Sequence, residues 1–254
     1  MIMRIRLCCF LLLIPLLVSG CVHKLTSVRH SAEFNNRDIR AGEIIIIPTE
    51  ATVATVDVLG KKTHENDNYE DHIGRIIDDS ILDVLREHQY KVTLLTRKNI
   101  ADLKISGKIL DLRLQYNDII QGLYKSQWMQ EEQAFSVDQK VNVISDLKKS
   151  DKRTYLVLCN YVGTSKTSGA RIAHLLMDAL INTRASDEAE TSSMLIGIID
   201  NSNGKFYWSN RTGAATSVVG AALNSGSSDE IDRKHSKLMI RSTLNPLVFQ
   251  YKSD

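Results

Sequence analysis

The chain is poor in cysteine, with four in 254 residues. Cys8 and Cys9 lie in the first apolar stretch, Cys21 follows it, and Cys159 is alone in everything after. One thiol excludes an intrachain disulfide framework for the body. Cys159 ends the apolar run Tyr155-Leu156-Val157-Leu158. No basic or histidine neighbour in sequence would lower its pKa there, so it reads as a buried, inert thiol. Membrane-spanning length is also lacking. The apolar core from Leu7 to Val18 and the apolar segment from Ala170 to Ile181 are each about a dozen residues, against the roughly twenty a spanning helix needs. Charge of one sign is missing too: 32 basic residues face 30 acidic ones, and two of the basic ones, Arg4 and Arg6, fall in the first six positions. Such a body has no concentrated basic face for nucleic acid. There is no internal repeat.

What is present begins at the amino terminus. Arg4 and Arg6, the apolar core and the small pair Ser19-Gly20 before Cys21 have the order of an export signal, residues 1–20. Val18-Ser19-Gly20-Cys21 resembles the lipobox of bacterial lipoproteins. That resemblance implies cleavage between Gly20 and Cys21, a diacylglycerol on Cys21 and a further acyl chain such as palmitate, enough for stable anchoring. Val22 rather than Asp after the cysteine implies sorting to the outer membrane of a Gram-negative cell, with the folded body in the periplasm. The competing reading is an N-terminal transmembrane anchor that happens to contain a cysteine. Removal of residues 1–20 leaves 30 basic and 30 acidic residues, a neutral body. Residues 21–42 are polar and read as the lipidated cysteine and a flexible tether with a reach of about 25 Å. Residues 43–254 are enough for a single domain.

Within that domain, Glu43 to Ile47, stopped by Pro48, reads as a buried strand, and Thr52 to Val58 as a second. Lys61 to Asn68 reads as a loop. Ile73, Ile76, Ile77, Ile81, Val84 and Leu85 recur at helical spacing, with Asp67 and Glu70 placed as a capping box. Tyr90 to Leu95 is a further strand. Leu103 to Ile109 alternates, then changes phase to Leu110, Leu112 and Leu114, the pattern of a strand with a bulge near Gly107. Asp138 to Leu147 reads as a helix. Tyr155 to Val162 is a core strand, Gly163 to Gly169 a loop and Ala170 to Ile181 an apolar helix. Ser193 to Asp200 and Lys205 to Asn210 form a hairpin in which alternation puts Phe206 and Trp208 on one face, packed in the core. A final helix from Asp229 ends near Leu244, before Pro246. Alternating helices with two hairpins predict an α+β fold, a mixed sheet packed against helices.

Cys159 through Ile181, with its Ser168-Gly169-Ala170-Arg171 turn, and the stretch from Ile196-Gly197-Ile198-Ile199-Asp200 to Trp208-Ser209-Asn210-Arg211 carry a wider resemblance. The chain is similar to uncharacterised bacterial outer-membrane lipoproteins, and distantly to the curli secretion channel and the activators of peptidoglycan synthases. The likeness spans about 200 residues and implies fold and compartment; a role as scaffold, pore subunit or binding module is an analogy.

Sites of chemistry are weak. Gly163 to Gly169 lacks the Lys of a phosphate-binding loop, since Ala170 follows Gly169, so no nucleotide is expected. His64, Glu65, Asp67, Glu70, Asp71 and His72 are potential metal ligands, but acidic residues suit a first helical turn on their own, and no metal or cofactor is expected. Ser168, His174 and Asp200 are the residue types of a hydrolase without its nucleophile elbow. The helix from Ala170 to Ile181 is apolar nearly all round, which makes Leu175, Leu176 and Leu180 candidates for a partner or oligomer contact. The sequence therefore predicts a non-enzymatic outer-membrane lipoprotein that binds an envelope protein or self-associates. A homo-oligomeric secretion pore is the alternative, and an envelope hydrolase a third reading.

Overall fold

The computed structural model describes residues 25–56, 61–64, 67–125, 133–134, 138–148, 152–166, 192–214 and 229–249. Its strands are β1 (Leu25–His30), β2 (Glu43–Ile46), β3 (Glu50–Val56), β4 (Lys62–His64), β5 (Val92–Leu94), β6 (Gln133–Ala134), β7 (Thr154–Lys166), β8 (Ser192–Asp200) and β9 (Lys205–Ala214). Its helices are α1 (Asn36–Ala41), α2 (Asp67–Glu87), α3 (Arg97–Asp102), α4 (Ser106–Leu123) and α5 (Asp229–Phe249). All nine strands join one open sheet in the order β4-β3-β7-β8-β9-β1-β6, with β2 paired to β7 and β5 beyond it. Strands β2, β3, β5 and β7 run parallel, and β7, β8, β9 and β1 are successively antiparallel. The α+β fold with a mixed sheet against helices is thus the fold of the described residues.

Alternation along the strands builds two cores. Ile44, Ile46, Tyr155, Val157, Cys159, Ile196 and Ile198 face α1, α2 and α5, which contribute Ile39, Ile73, Ile77, Ile81, Ile240 and Leu244. Ile45, Ile47, Leu156, Leu158 and Leu195 face the other way, onto Ile109, Leu112, Tyr116 and Ile120 of α4. With helices on both faces the central strands are apolar on both sides, as their continuous hydrophobic runs require.

Several expectations are corrected, among them the loop at Gly163 to Gly169, whose described part, to Lys166, is the end of β7 and pairs with β3. Residues 21–42 are not a tether throughout, because β1 pairs with β9 over Leu25–His30 and α1 follows. Ser27 and Arg29 of β1 are buried: the Ser27 backbone N–H donates to Asn210 Oδ1 at 3.1 Å, and the Arg29 guanidinium stands 5.4 Å from the Tyr124 ring centre. Residues 106–114 are helix, and 103–105 the turn before it, not a bulged strand. Ile105, Ile109, Leu112, Tyr116 and Ile120 are buried at spacings of three and four, so what looks like a phase change in a strand is a helical period. Residues 138–148 run extended beside β9, where Phe206 N–H donates to Gln139 O at 2.8 Å, and form only a single 3₁₀ turn, Ser145–Leu147. The loop expected at 61–68 contains β4 and the start of α2. Pro246 lies inside α5 rather than after it, and tertiary contacts hold the last turn: Leu247 and Val248 are buried, and their carbonyls accept from Asn36 and Arg40.

The hairpin of β8 and β9 forms as expected, but its aromatic residues separate. Ile198 faces Trp208 while Ile199 faces Phe206, which leaves Tyr207 as the extra residue of a bulge. Phe206 therefore enters the core under α4, and Trp208 the core under α2 and α5.

Candidate functional site

The expected lipid-attachment residues Gly20 and Cys21, the contact residues Leu175, Leu176 and Leu180, and Ser168 and His174 all lie outside the described residues. Glu65 and the side chains of His64 and Asp67 also lie outside what is described, whereas Asp200, Glu70 and Asp71 are engaged in holding the fold. Asp200 is buried and accepts from Ser202 N–H at 2.8 Å and from its hydroxyl at 2.5 Å, closing the turn before β9. Glu70 accepts from Val53 N–H at 2.8 Å and ties α2 to β3. Asp71 forms a two-pronged ion pair with Arg97, which lowers its pKa. Among the described residues no three of His, Cys, Asp and Glu converge to hold a metal, and no helix is long and apolar enough to cross a membrane.

Two features remain that could carry function. One is a cleft of about 340 Å³ at the carboxyl ends of the parallel strands β2 and β5, lined by Thr49, Arg75, Asp78, Leu94 and Arg97 among others. Ligand sites of open α/β sheets favour that end of a parallel sheet. Its geometry follows from the chain. β2 and β3 pair successively with the same edge of β7, over Thr154–Val157 and Asn160–Lys166, with Ile47-Pro48-Thr49 between them. At that break Thr49 has no ladder partner for its N–H, and Asp78 of α2 supplies one: Oδ1 accepts from Thr49 N at 2.9 Å and from Thr49 Oγ1 at 2.6 Å. Asp78 is 4% exposed, and burial pushes its carboxyl up to about 7 against the two hydrogen bonds from Thr49. The nearby Cys159 thiol is also pushed up by burial, with Asp78 adding to the effect. A thiol held protonated is the reverse of a nucleophile's requirement. The cleft thus pairs a carboxyl near neutrality with a floor whose oxygen is already committed to the backbone.

The other feature is the outer face of α4. Leu110 and Leu114, with Leu103 just before the helix, are 60%, 58% and 46% exposed. Leu110 and Leu114 stand opposite the buried row, with Gly107 beside them, where an added Cβ would meet nothing within 4 Å. Polar groups on both flanks are tied to one another rather than to the leucines. On one side Asp111 accepts from Gln115 Nε2 at 2.7 Å and from Asn142 Nδ2 at 2.8 Å, and Lys108 pairs with Asp146. On the other, buried Arg113 lies 3.3 Å from Glu50, and Asn117 accepts from Asn160 at 2.7 Å. An apolar patch bordered by paired polar side chains has the anatomy of a contact surface.

Sequence reasoning missed both. Leu110 and Leu114, four residues apart, carry the signal of a helix face, but the alternation at 103–109 hides it. Asp78 was legible only as a carboxylate between Ile77 and Ile81, inside the apolar arc of its helix.

No protein-family model matches the chain, and no curated protein matches it. Among solved structures, it is similar to the PelC dodecamer from Paraburkholderia phytofirmans at 13% identity, covering 88% of this chain and 97% of that one, with a TM-score of 0.33. A single-substitution variant of that dodecamer gives 12% identity, 88% and 98% coverage and the same TM-score of 0.33. A DUF4136 family protein from Bacteroides thetaiotaomicron gives 5% identity, 89% and 97% coverage and a TM-score of 0.29. Likenesses this distant carry no argument about what this chain does; its function has to be read from its own surface.

Proposed function

We infer that the chain is a non-enzymatic lipoprotein of the cell envelope, held at the outer membrane through Cys21, whose folded body binds a partner protein through the outer face of α4. The observation that carries this reading is the pair Leu110 and Leu114 on α4, with Leu103 in the turn before it, exposed in a molecule that buries most of its large apolar side chains among the described residues. The amino-terminal export signal and the Val18-Ser19-Gly20-Cys21 run support the address. A subunit of a homo-oligomeric export pore is the second reading, because the same strip could join copies. A closed ring would need a further, different patch for head-to-tail contact. The other exposed large apolar residues, such as Val162 and Leu238, lie on other elements, β7 and α5.

Two measurements test the reading. Cys21→Ala should abolish incorporation of labelled palmitate and displace the protein from the outer-membrane fraction; unchanged labelling removes the anchor. For the body, the mass of the full chain extracted in mild detergent is measured by light scattering, with co-purifying chains identified. The wild type should exceed its own monomer mass and Leu110→Arg should not, and equal masses for the two would remove the binding face.

A further inference from the structure

We propose that the end of the sheet at which β1 begins faces the lipid surface at close range, with the opposite end of the sheet pointing away from it. This rests on the reading that Cys21 carries the lipid, and goes beyond it by fixing which part of the body meets the bilayer. Only residues 22–24 separate Cys21 from Leu25, where β1 enters the sheet. Four steps of fully extended chain cover at most about 14 Å. The reach of about 25 Å expected of a tether over residues 21–42 is lost, because β1 and α1 take up most of its length.

The strand register shows what else stands at that end. Leu25 pairs with Gly213 near the end of β9, and Ala214 pairs with Ser192 at the start of β8. Ser192 pairs with Gly163 of β7, whose last residue, Lys166, pairs with Val56 at the end of β3. Val56 pairs in turn with Lys62 at the start of β4. One end of the sheet, from β1 across to β4, is thus level with the start of β1. β7 is 13 residues long, so its first residue, Thr154, lies roughly 40 Å from Lys166. Thr154 O accepts from Asn201 N–H, which puts the turn after β8 at the far end too. So short a link to Cys21 cannot bring the body to the bilayer with that far end first. Lying flat on α2 and α5 would press the partly exposed pairs Asp79–Arg233, Asp83–Lys237 and Glu87–Arg241 against lipid, where charges lose their hydration. An upright body keeps those pairs in water and leaves the outer face of α4 open to a partner beside the membrane.

The test uses the full lipidated chain in vesicles of phosphatidylethanolamine and phosphatidylglycerol whose headgroups carry a fluorescence quencher. A fluorophore is attached through Lys61→Cys beside the start of β4, Lys152→Cys beside the start of β7, or Leu110→Cys on α4, all exposed positions. Among the described residues the wild type has only the buried Cys159 and serves as the blank. Lys61→Cys should be quenched, and Lys152→Cys, roughly 40 Å farther out, should not. Quenching at Lys152→Cys equal to or above that at Lys61→Cys would overturn the orientation. Quenching at Leu110→Cys as strong as at Lys61→Cys would lay the α4 face on the lipid and overturn it as well. A wild-type chain that does not float with the vesicles would remove the lipid on Cys21 and the orientation with it. A chain that floats but is quenched at the wrong probe would remove the orientation alone.

Discussion

The buried carboxyl of Asp78 makes a quantitative prediction about stability against pH. Its pKa stands at about 7 in the fold against an ordinary value of 3.8. A native state that holds a proton more tightly than the unfolded chain is favoured where protons are plentiful. The contribution is therefore fully present below about pH 4 and is lost as pH rises toward 7, a total of roughly 4 kcal/mol. The groups facing Asp78 are the Thr49 amide and hydroxyl, the Cys159 thiol, and the charges of Asp79, Arg97 and Arg113. Asp78→Asn removes the titration and keeps an amide oxygen for both Thr49 donors. Urea unfolding of wild type and variant at matched pH isolates the effect, because the remaining carboxylates are common to both. Between about pH 4.5 and about pH 7.5 the wild type should lose about 3 kcal/mol relative to the variant. Parallel pH profiles for the two proteins would refute the assignment of a buried, neutral carboxyl at the break between β2 and β3.

Three further outcomes follow from packing and charge. Gly197→Ala should destabilise by about 1–3 kcal/mol in denaturant melts, because a Cβ there would lie 2.5 Å from Tyr116 Cε2 and 3.1 Å from Phe206 Cζ, both in the core; an unchanged midpoint would mean that α4 does not cross β8 there. Tyr124→Phe should cost about 1–2 kcal/mol and speed amide exchange in β1, since its buried hydroxyl donates to Ser27 O at 3.0 Å and lies 2.9 Å from Ser209 Oγ. Glu87 is held down to about 2 by hydrogen bonds from Lys237 first and then Arg241, clamping α2 to α5. Its carboxylate is 42% exposed, so solvent screening limits Glu87→Gln to about 1 kcal/mol or less. That contribution is present above about pH 4.5 and is lost as pH falls toward 2, which acid melts of the two proteins can separate.

The parts of the fold that the sequence makes plain are those where periodicity has one reading. Ile44 to Ile47 and Tyr155 to Cys159 are apolar without a helical break because both faces of the sheet are covered there. The isoleucines of α2 repeat at three and four residues and are buried as that spacing requires. The stretch 103–114 fails for a physical reason. α4 is apolar at both poles, its buried row and its exposed leucines together mimic alternation, and the two patterns cannot be separated without the sheet that covers one of them. β1 was hidden because its buried residues include Ser27 and Arg29, whose partners Asn210 and Tyr124 are distant in sequence. The bulge at Tyr207 shifts one residue in a run of three aromatics and leaves no mark in composition. The proposed anchor at Cys21 rests on the sequence alone, and the proposed binding face on the three-dimensional structure.

The central claim, that the body works through the outer face of α4, is tested most directly by a photo-cross-linking amino acid placed at Leu110, Leu114 or Leu238 in cells expressing the full chain. All three positions are at least half exposed, so the probe leaves the fold intact. The account predicts discrete adducts from Leu110 and Leu114 and none from Leu238 on α5. Adducts from Leu238 alone, or none from α4, would contradict it.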